Sequence, residues 1–142
     1  MAASEQHNCL VGQIKFWVEN HAPYNEFYNC YDLPHEERPG WLSTVSEPGI
    51  SSIPDYIGYS DDNNFCALGE AKTEYAGQTI FDLRADKQLK AYIDHLKYYK
   101  ESLLLIAVPR HHILNARFKM KKVKREFEYK GDIIYFDEDG LI

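Results

Sequence analysis

The chain has 142 residues, 44% of them hydrophobic and 27% charged, with eleven tyrosines and a net charge of −6, enough for one compact domain and too little for two. It holds no run of about 18 apolar residues to span a bilayer, and the start "MAASEQHN" lacks the basic-then-apolar layout of a signal peptide, so a cytoplasmic protein with no membrane partner is expected. The three cysteines, Cys9, Cys30 and Cys66, form no C-x-x-C pair, which argues against a disulfide framework or a zinc knuckle and for reduced packing residues.

From Ser4 to about Asn20, the apolar residues Leu10, Val11, Ile14, Trp17 and Val18 recur at helical intervals, with Ser4 the expected N-cap. The stretch "HAPYNEFYNCYDLPHEERPGW" has no clear period and reads as a loop with a short irregular strand. "SSIPDYIGYSDD" and "NNFCALGEAKT" are two apolar-rich runs around the turn-forming cluster Asp61-Asp62-Asn63-Asn64, which predicts a hairpin. Pro54 then belongs at an edge or bulged position, where its missing N–H is tolerated.

Leu83, Leu89, Tyr92, Ile93, Leu96 and Tyr99 predict a helix over residues 82–100, and "SLLLIAVP" a strand buried on both sides. A basic helix is expected from about His111 to Phe127, and "DIIYFDEDG" is the final strand. This order predicts a single α/β domain over residues 1–142, a mixed sheet flanked by helices.

The charge is unevenly spread. Residues 1–109 hold 8 Lys/Arg against 16 Asp/Glu, whereas residues 110–125 hold 7 Lys/Arg and no acid. An acidic body repels a phosphate backbone, but this segment carries a positive stripe, with Arg117, Lys119, Lys121, Lys122, Lys124 and Arg125 as candidate contacts to nucleic-acid backbone. His111 and His112 lack a third ligand at metal spacing and read as solvated. Tyr24, Phe27, Tyr28 and Tyr31 can serve as base-stacking platforms, although core filling is the commoner role of such aromatics.

The hairpin can bring Asp55 and Glu70 to one end of the sheet. Period-two alternation points Glu70 and Lys72 the same way and Ala71 opposite. Adjacent carboxylates repel each other and are costly to desolvate, so their natural use is a hard-oxygen site for Mg²⁺ or Mn²⁺, with the Ala71 carbonyl as a further ligand. A lysine beside that ion can orient or deprotonate a water while the metal polarises a phosphoryl oxygen. The bland alternative is an exposed hairpin end with a surface Glu/Lys pair of little consequence.

In this order, "IPDYIGYSDDNNFCALGEAKT" resembles the active-site hairpin of the PD-(D/E)XK nuclease superfamily, with Asp55, Glu70 and Lys72 on its signature positions. Gln88 and Tyr92 resemble the Gln-x-x-x-Tyr motif of its RecB-like branch. The resemblance implies a restriction-endonuclease-like three-layer fold and a Mg²⁺- or Mn²⁺-dependent nuclease, with DNA the expected substrate. In it Asp55 and Glu70 hold the metal, Lys72 handles the attacking water, and Gln88 organises the site beside Tyr92. It also implies an acid or histidine from the first helix, for which Glu5 and His7 are candidates and Glu19 the rival. Without a cysteine cluster, the iron-sulfur version of the branch is not expected. The rival function is a non-cleaving domain of the same fold that binds nucleic acid or a protein partner, and a homodimer or a subunit of a larger complex is compatible with either.

Overall fold

The computed structural model describes residues 2–21, 28–42, 53–62, 64–75 and 78–142. In chain order these form helix α1 (Ala3–Glu19), strands β1 (Tyr28–Tyr31), β2 (Tyr56–Tyr59) and β3 (Phe65–Ala71), helix α2 (Leu83–Leu96), strand β4 (Glu101–Ala107), a 3-10 turn (Arg110–His112), helix α3 (Ile113–Glu126), and strands β5 (Asp132–Asp137) and β6 (Gly140–Leu141). The strands make one mixed sheet in the order β1-β2-β3-β4-β5-β6. The β1–β2, β2–β3 and β5–β6 pairs are antiparallel, and the β3–β4 and β4–β5 pairs are parallel.

The sheet divides the apolar residues into two cores. Cys66 and Leu68 of β3 join Leu104 and Ile106 of β4 against α2 (Leu89, Tyr92, Ile93, Leu96) and α3 (Ile113, Ala116, Met120, Val123). The alternate residues, Ala67, Ala71, Leu103, Leu105 and Ala107, pack against α1 through Leu10, Val11, Ile14 and Val18. Period-two strands between period-3.6 helices therefore produce an α/β architecture with helices on both faces. As expected, most of "SLLLIAVP" is a central parallel strand buried on both sides, although β4 runs from Glu101 to Ala107 and leaves out Val108 and Pro109.

Several boundaries depart from the expectations. Helix α1 begins ahead of Ser4: Ala2 is the extended capping residue, no side chain caps the end, and Gln6 N–H bonds to the Ala2 carbonyl at 3.0 Å. Helix α2 stops at Leu96, four residues early, where the Tyr98 and Tyr99 amides bond three residues back, to His95 and Leu96, and tighten the chain before β4. A 3-10 turn occupies the expected start of the basic helix. The short strand expected in the aperiodic region is β1, which extends the hairpin sheet.

The C-terminal run is a hairpin rather than one strand. Asp137 Oδ1 accepts from the Asp139 amide at 2.7 Å, and Gly140 sits at φ +117°, a conformation that favours glycine. Pro54 does not lie at an edge, but it adjoins a bulge-like offset, since Asp55 and Tyr56 both face Gly69. β2 is interior, and Pro54 directly precedes Asp55, whose N–H bonds to Gly69 O at 3.0 Å and whose carbonyl accepts from Asp32 N–H at 2.8 Å. The proline needs no edge because the ladder bonds on that side begin one residue later. In the turn, Asp62 accepts from Ser60 Oγ and Asn64 N, while Asn63 lies outside the described residues.

Tyr31 and Tyr56 are buried and stacked with ring centroids 5.1 Å apart, so core filling is the role of Tyr31. Tyr28 is exposed and stacks on Tyr59 at 5.4 Å; Tyr24 and Phe27 lie outside the described residues. Buried Tyr56 lies across Gly58 and donates its hydroxyl to Asn29 Oδ1 at 2.7 Å. A Cβ on residue 58 would stand 2.6 Å from that Asn29 oxygen and 2.9 Å from Tyr56 Cζ. Gly58→Ala is therefore expected to cost about 1–3 kcal/mol, read as a lower urea midpoint with an unchanged slope. An unshifted midpoint would show that the ring can move freely.

Candidate functional site

Strand alternation sends Glu70 and Lys72 towards α2, where two helical residues one turn apart meet them. Tyr92 donates its hydroxyl to Glu70 Oε2 at 2.6 Å, and Lys72 Nζ donates to Gln88 Oε1 at 2.5 Å. Lys72 Nζ also stands 3.6 Å from Glu70 Oε2. Gln88 and Tyr92 share a helix face because they are four apart, and that face seats both halves of the Glu70/Lys72 pair.

Asp55 reaches the same place from the chain entering β2. Its Oδ2 accepts the Ala71 amide at 2.8 Å. Ala71 thus meets Asp55 through its N–H, which orients the carboxylate, and not through the carbonyl expected as a metal ligand. From the opposite face of the sheet, the first turns of α1 bring His7 Nε2 to 3.7 Å from Asp55 Oδ1 and 3.1 Å from Asp32 Oδ2. Gln6, buried beside it, ties this end of the helix down by accepting the Glu74 amide at 3.0 Å.

His7, Asp55, Glu70, Ala71, Lys72 and Gln88 line a cleft of about 670 Å³ bounded also by Ala3, Ser4, Ile53, Gln78 and Arg84. Glu70 is 3% exposed and Asp55 8%. Burial pushes the Glu70 carboxyl well above its ordinary value, and Asp55 adds to this by charge and by a shared hydrogen bond; Lys72 and Tyr92 pull the other way without prevailing. Burial also raises Asp55, against its hydrogen bonds from Glu70 and Ala71 and the charge of Lys72. Burial and the neighbouring Glu70 charge raise the Tyr92 phenol far above its usual value, so it remains a hydrogen-bond donor.

Two overlapping ligand sets meet at Asp55. One is the expected Asp55/Glu70 pair. The other is His7, Asp32 and Asp55, whose donor atoms lie within 4.8 Å of one another and can hold a cation. Asp32 was not expected. It directly follows β1, and its one sequence signal is a carboxylate directly after "YNCY", in a region with no period to locate it. Arg84, a cation in the first turn of α2, likewise belongs to no motif or periodic pattern.

Of the α1 candidates, His7 reaches the site. Glu5 is exposed and has no contact with it among the described residues, and Glu19, twelve residues further along the helix, pairs with Lys15. The basic segment is less free than its composition suggested, because acids from other elements reach it. Arg110 pairs with Asp137 and Asp139, His111 Nε2 stands 3.4 Å from Glu74, and Lys119 Nζ binds Asp86 Oδ1 at 2.6 Å and the Ile80 carbonyl. Lys119 therefore braces α3 against α2. Arg117 lies half-buried over the Tyr135 ring at 5.2 Å, Lys124 is half-buried, and Lys121, Lys122 and Arg125 are exposed.

Because the folded state raises both site carboxyls, their neutral forms favour it. That stabilisation is complete below the ordinary carboxylate range of about pH 4 and fades as pH rises through the raised values. In chelator, Glu70→Gln should therefore gain melting temperature relative to wild type as pH rises from about 4 towards neutral. A difference that is constant with pH would mean that Glu70 is not held against its charge. Comparison with protein-family models, with curated proteins and with solved structures finds no match for this chain.

Proposed function

We propose that the chain is a divalent-metal-dependent nuclease that hydrolyses phosphodiester bonds, with DNA as its expected substrate and a restriction-endonuclease-like fold. The observation that carries this reading is a buried carboxylate pair, Asp55 and Glu70, beside a lysine in an open cleft. Two carboxylates side by side are a poor structural choice without a cation, and their raised pKa values express that deficit. Oxygen donors from Asp55 and Glu70, extended by His7 and Asp32, fit Mg²⁺ or Mn²⁺, the imidazole favouring Mn²⁺. Such an ion, when bound, supplies Lewis-acid polarisation of the phosphoryl oxygen and a more acidic water.

The remaining roles follow from the contacts. Lys72, held by Gln88 and Glu70, orients the attacking water and offsets charge on the phosphorus oxygens as the new P–O bond forms and the bond to the departing oxygen breaks. Tyr92 fixes the Glu70 carboxylate, and Ala71 N–H fixes Asp55, so both are aimed before substrate arrives. The exposed Lys121, Lys122 and Arg125, with Lys124, supply cations for backbone contact away from the cleft.

The test is incubation with single-stranded, duplex and branched DNA, and with RNA, each in Mg²⁺, Mn²⁺ or chelator. Cleavage that needs the metal, and that falls about 10²–10⁴-fold in Asp55→Ala and Lys72→Ala while their melting curves stay cooperative, is the expected result. Wild-type rates in either variant would overturn the assignment. Mn²⁺ binding by calorimetry without cleavage of any substrate would favour a non-cleaving domain.

A further inference from the structure

The cleft contains a cation that the chemistry above does not use. Arg84 lines it together with Asp55, Glu70, Lys72 and Gln88 and lies one helical turn before Gln88. Its field reaches the Tyr92 hydroxyl that holds Glu70. Yet Arg84 is exposed and has no ion pair among the described residues. The acids nearest in sequence are committed elsewhere: Asp82 accepts the Thr79 amide at 3.3 Å, and Asp86 binds Lys119 at 2.6 Å. Lys72, in contrast, is held by Glu70 and Gln88.

A second polar group points to the same use. Gln78 lines the cleft, and its Oε1 is held by the Thr73 hydroxyl at 3.1 Å. The other end of that amide, its NH₂, has no hydrogen bond among the described residues. A guanidinium fork and an amide donor, neither spent within the fold, thus flank a cleft whose acids are gathered at Asp55 and Glu70. Donors of this kind match anionic non-bridging phosphate oxygens, which arginine can bind through two parallel hydrogen bonds.

We infer that Arg84, assisted by Gln78, forms a phosphate-binding subsite that grips one backbone phosphate of the bound strand beside the Asp55/Glu70 carboxylates. This rests on the nuclease reading for the identity of the strand. A phosphate gripped equally in the ground and transition states lowers KM without raising kcat, so the arginine acts in binding rather than in bond cleavage.

The experiment uses fluorescein-labelled oligodeoxynucleotides, binding being read by anisotropy in Ca²⁺ and cleavage in Mg²⁺ or Mn²⁺. Arg84→Ala should weaken binding and raise KM on the order of 10–100-fold with kcat nearly unchanged, Arg84→Lys should recover only part of the loss, and Gln78→Ala should show a smaller effect. A scan that replaces one phosphate at a time by an uncharged methylphosphonate makes the contact specific. One position should weaken binding by wild type and leave Arg84→Ala unaffected, a coupling that a merely structural role would not produce.

Equal binding by Arg84→Ala and wild type, or equal penalties at every methylphosphonate position, overturns the inference while leaving the nuclease reading intact. Coupling without cleavage by wild type overturns the nuclease reading and keeps the subsite. Wild type that neither binds nor cuts any oligonucleotide overturns both.

Discussion

A carboxylate sealed from water must find a proton, a cation or a full set of donors, and Glu70 imposes that demand on the structure around it. It sits near the end of β3, a strand buried along almost its whole length between an antiparallel neighbour and a parallel one. Tyr92 and Lys72 answer part of the demand, and Gln88 in turn holds Lys72. Those contacts pin α2 to β3 in rotation and along its axis, because Gln88 and Tyr92 meet their partners only when one helical face is presented. Asp55 adds a second charge to the same volume instead of relieving the first.

The opposite face of the sheet contributes through α1. Its apolar stripe, Leu10, Val11, Ile14 and Val18, packs on β3 and β4, and this leaves its first turns beyond the strand ends, where His7 comes near Asp55 and Asp32. The main chain ties the same groups together, since Asp32 N–H bonds to Asp55 O and Asp55 N–H to Gly69 O. The groups at the site thus come from five separate segments, α1, the Asp32 and Asp55 stretches, the end of β3 and α2, each held by sheet ladder or core packing rather than by a mobile side chain. Such backing gives a site its geometry before any ligand binds.

Much of this was legible in the residues. Period-two alternation in "FCALGEA" put Glu70 and Lys72 on one side, and the i, i+4 spacing of Gln88 and Tyr92 put them on one helix face. Both relations are local and depend on a single repeat. Less legible were the features in which tertiary contact outranked local preference. Ser4 is a good capping residue, yet α1 starts before it. The basic helix has no acids of its own, yet Asp86, Asp137, Asp139 and Glu74 reach Arg110, His111 and Lys119 from other elements. Charge counted along a segment omits partners that only folding supplies.

Asp32 and Arg84 illustrate the limit most clearly. Neither belongs to a periodic pattern or a spaced motif, and in sequence Asp32 stands 23 residues before Asp55. What the sequence by itself determined were the element types, the buried central strand, and the shared orientation of Glu70 with Lys72 and of Gln88 with Tyr92, because each follows from backbone geometry within a few residues. The tertiary structure decided that α1 delivers His7 rather than Glu5 or Glu19, that β1 carries Asp32 to Asp55, and that Lys119 is spent on α2 while Arg84 remains in the cleft. Those outcomes depend on which faces of distant elements pack together, and burial across the whole sheet sets that choice.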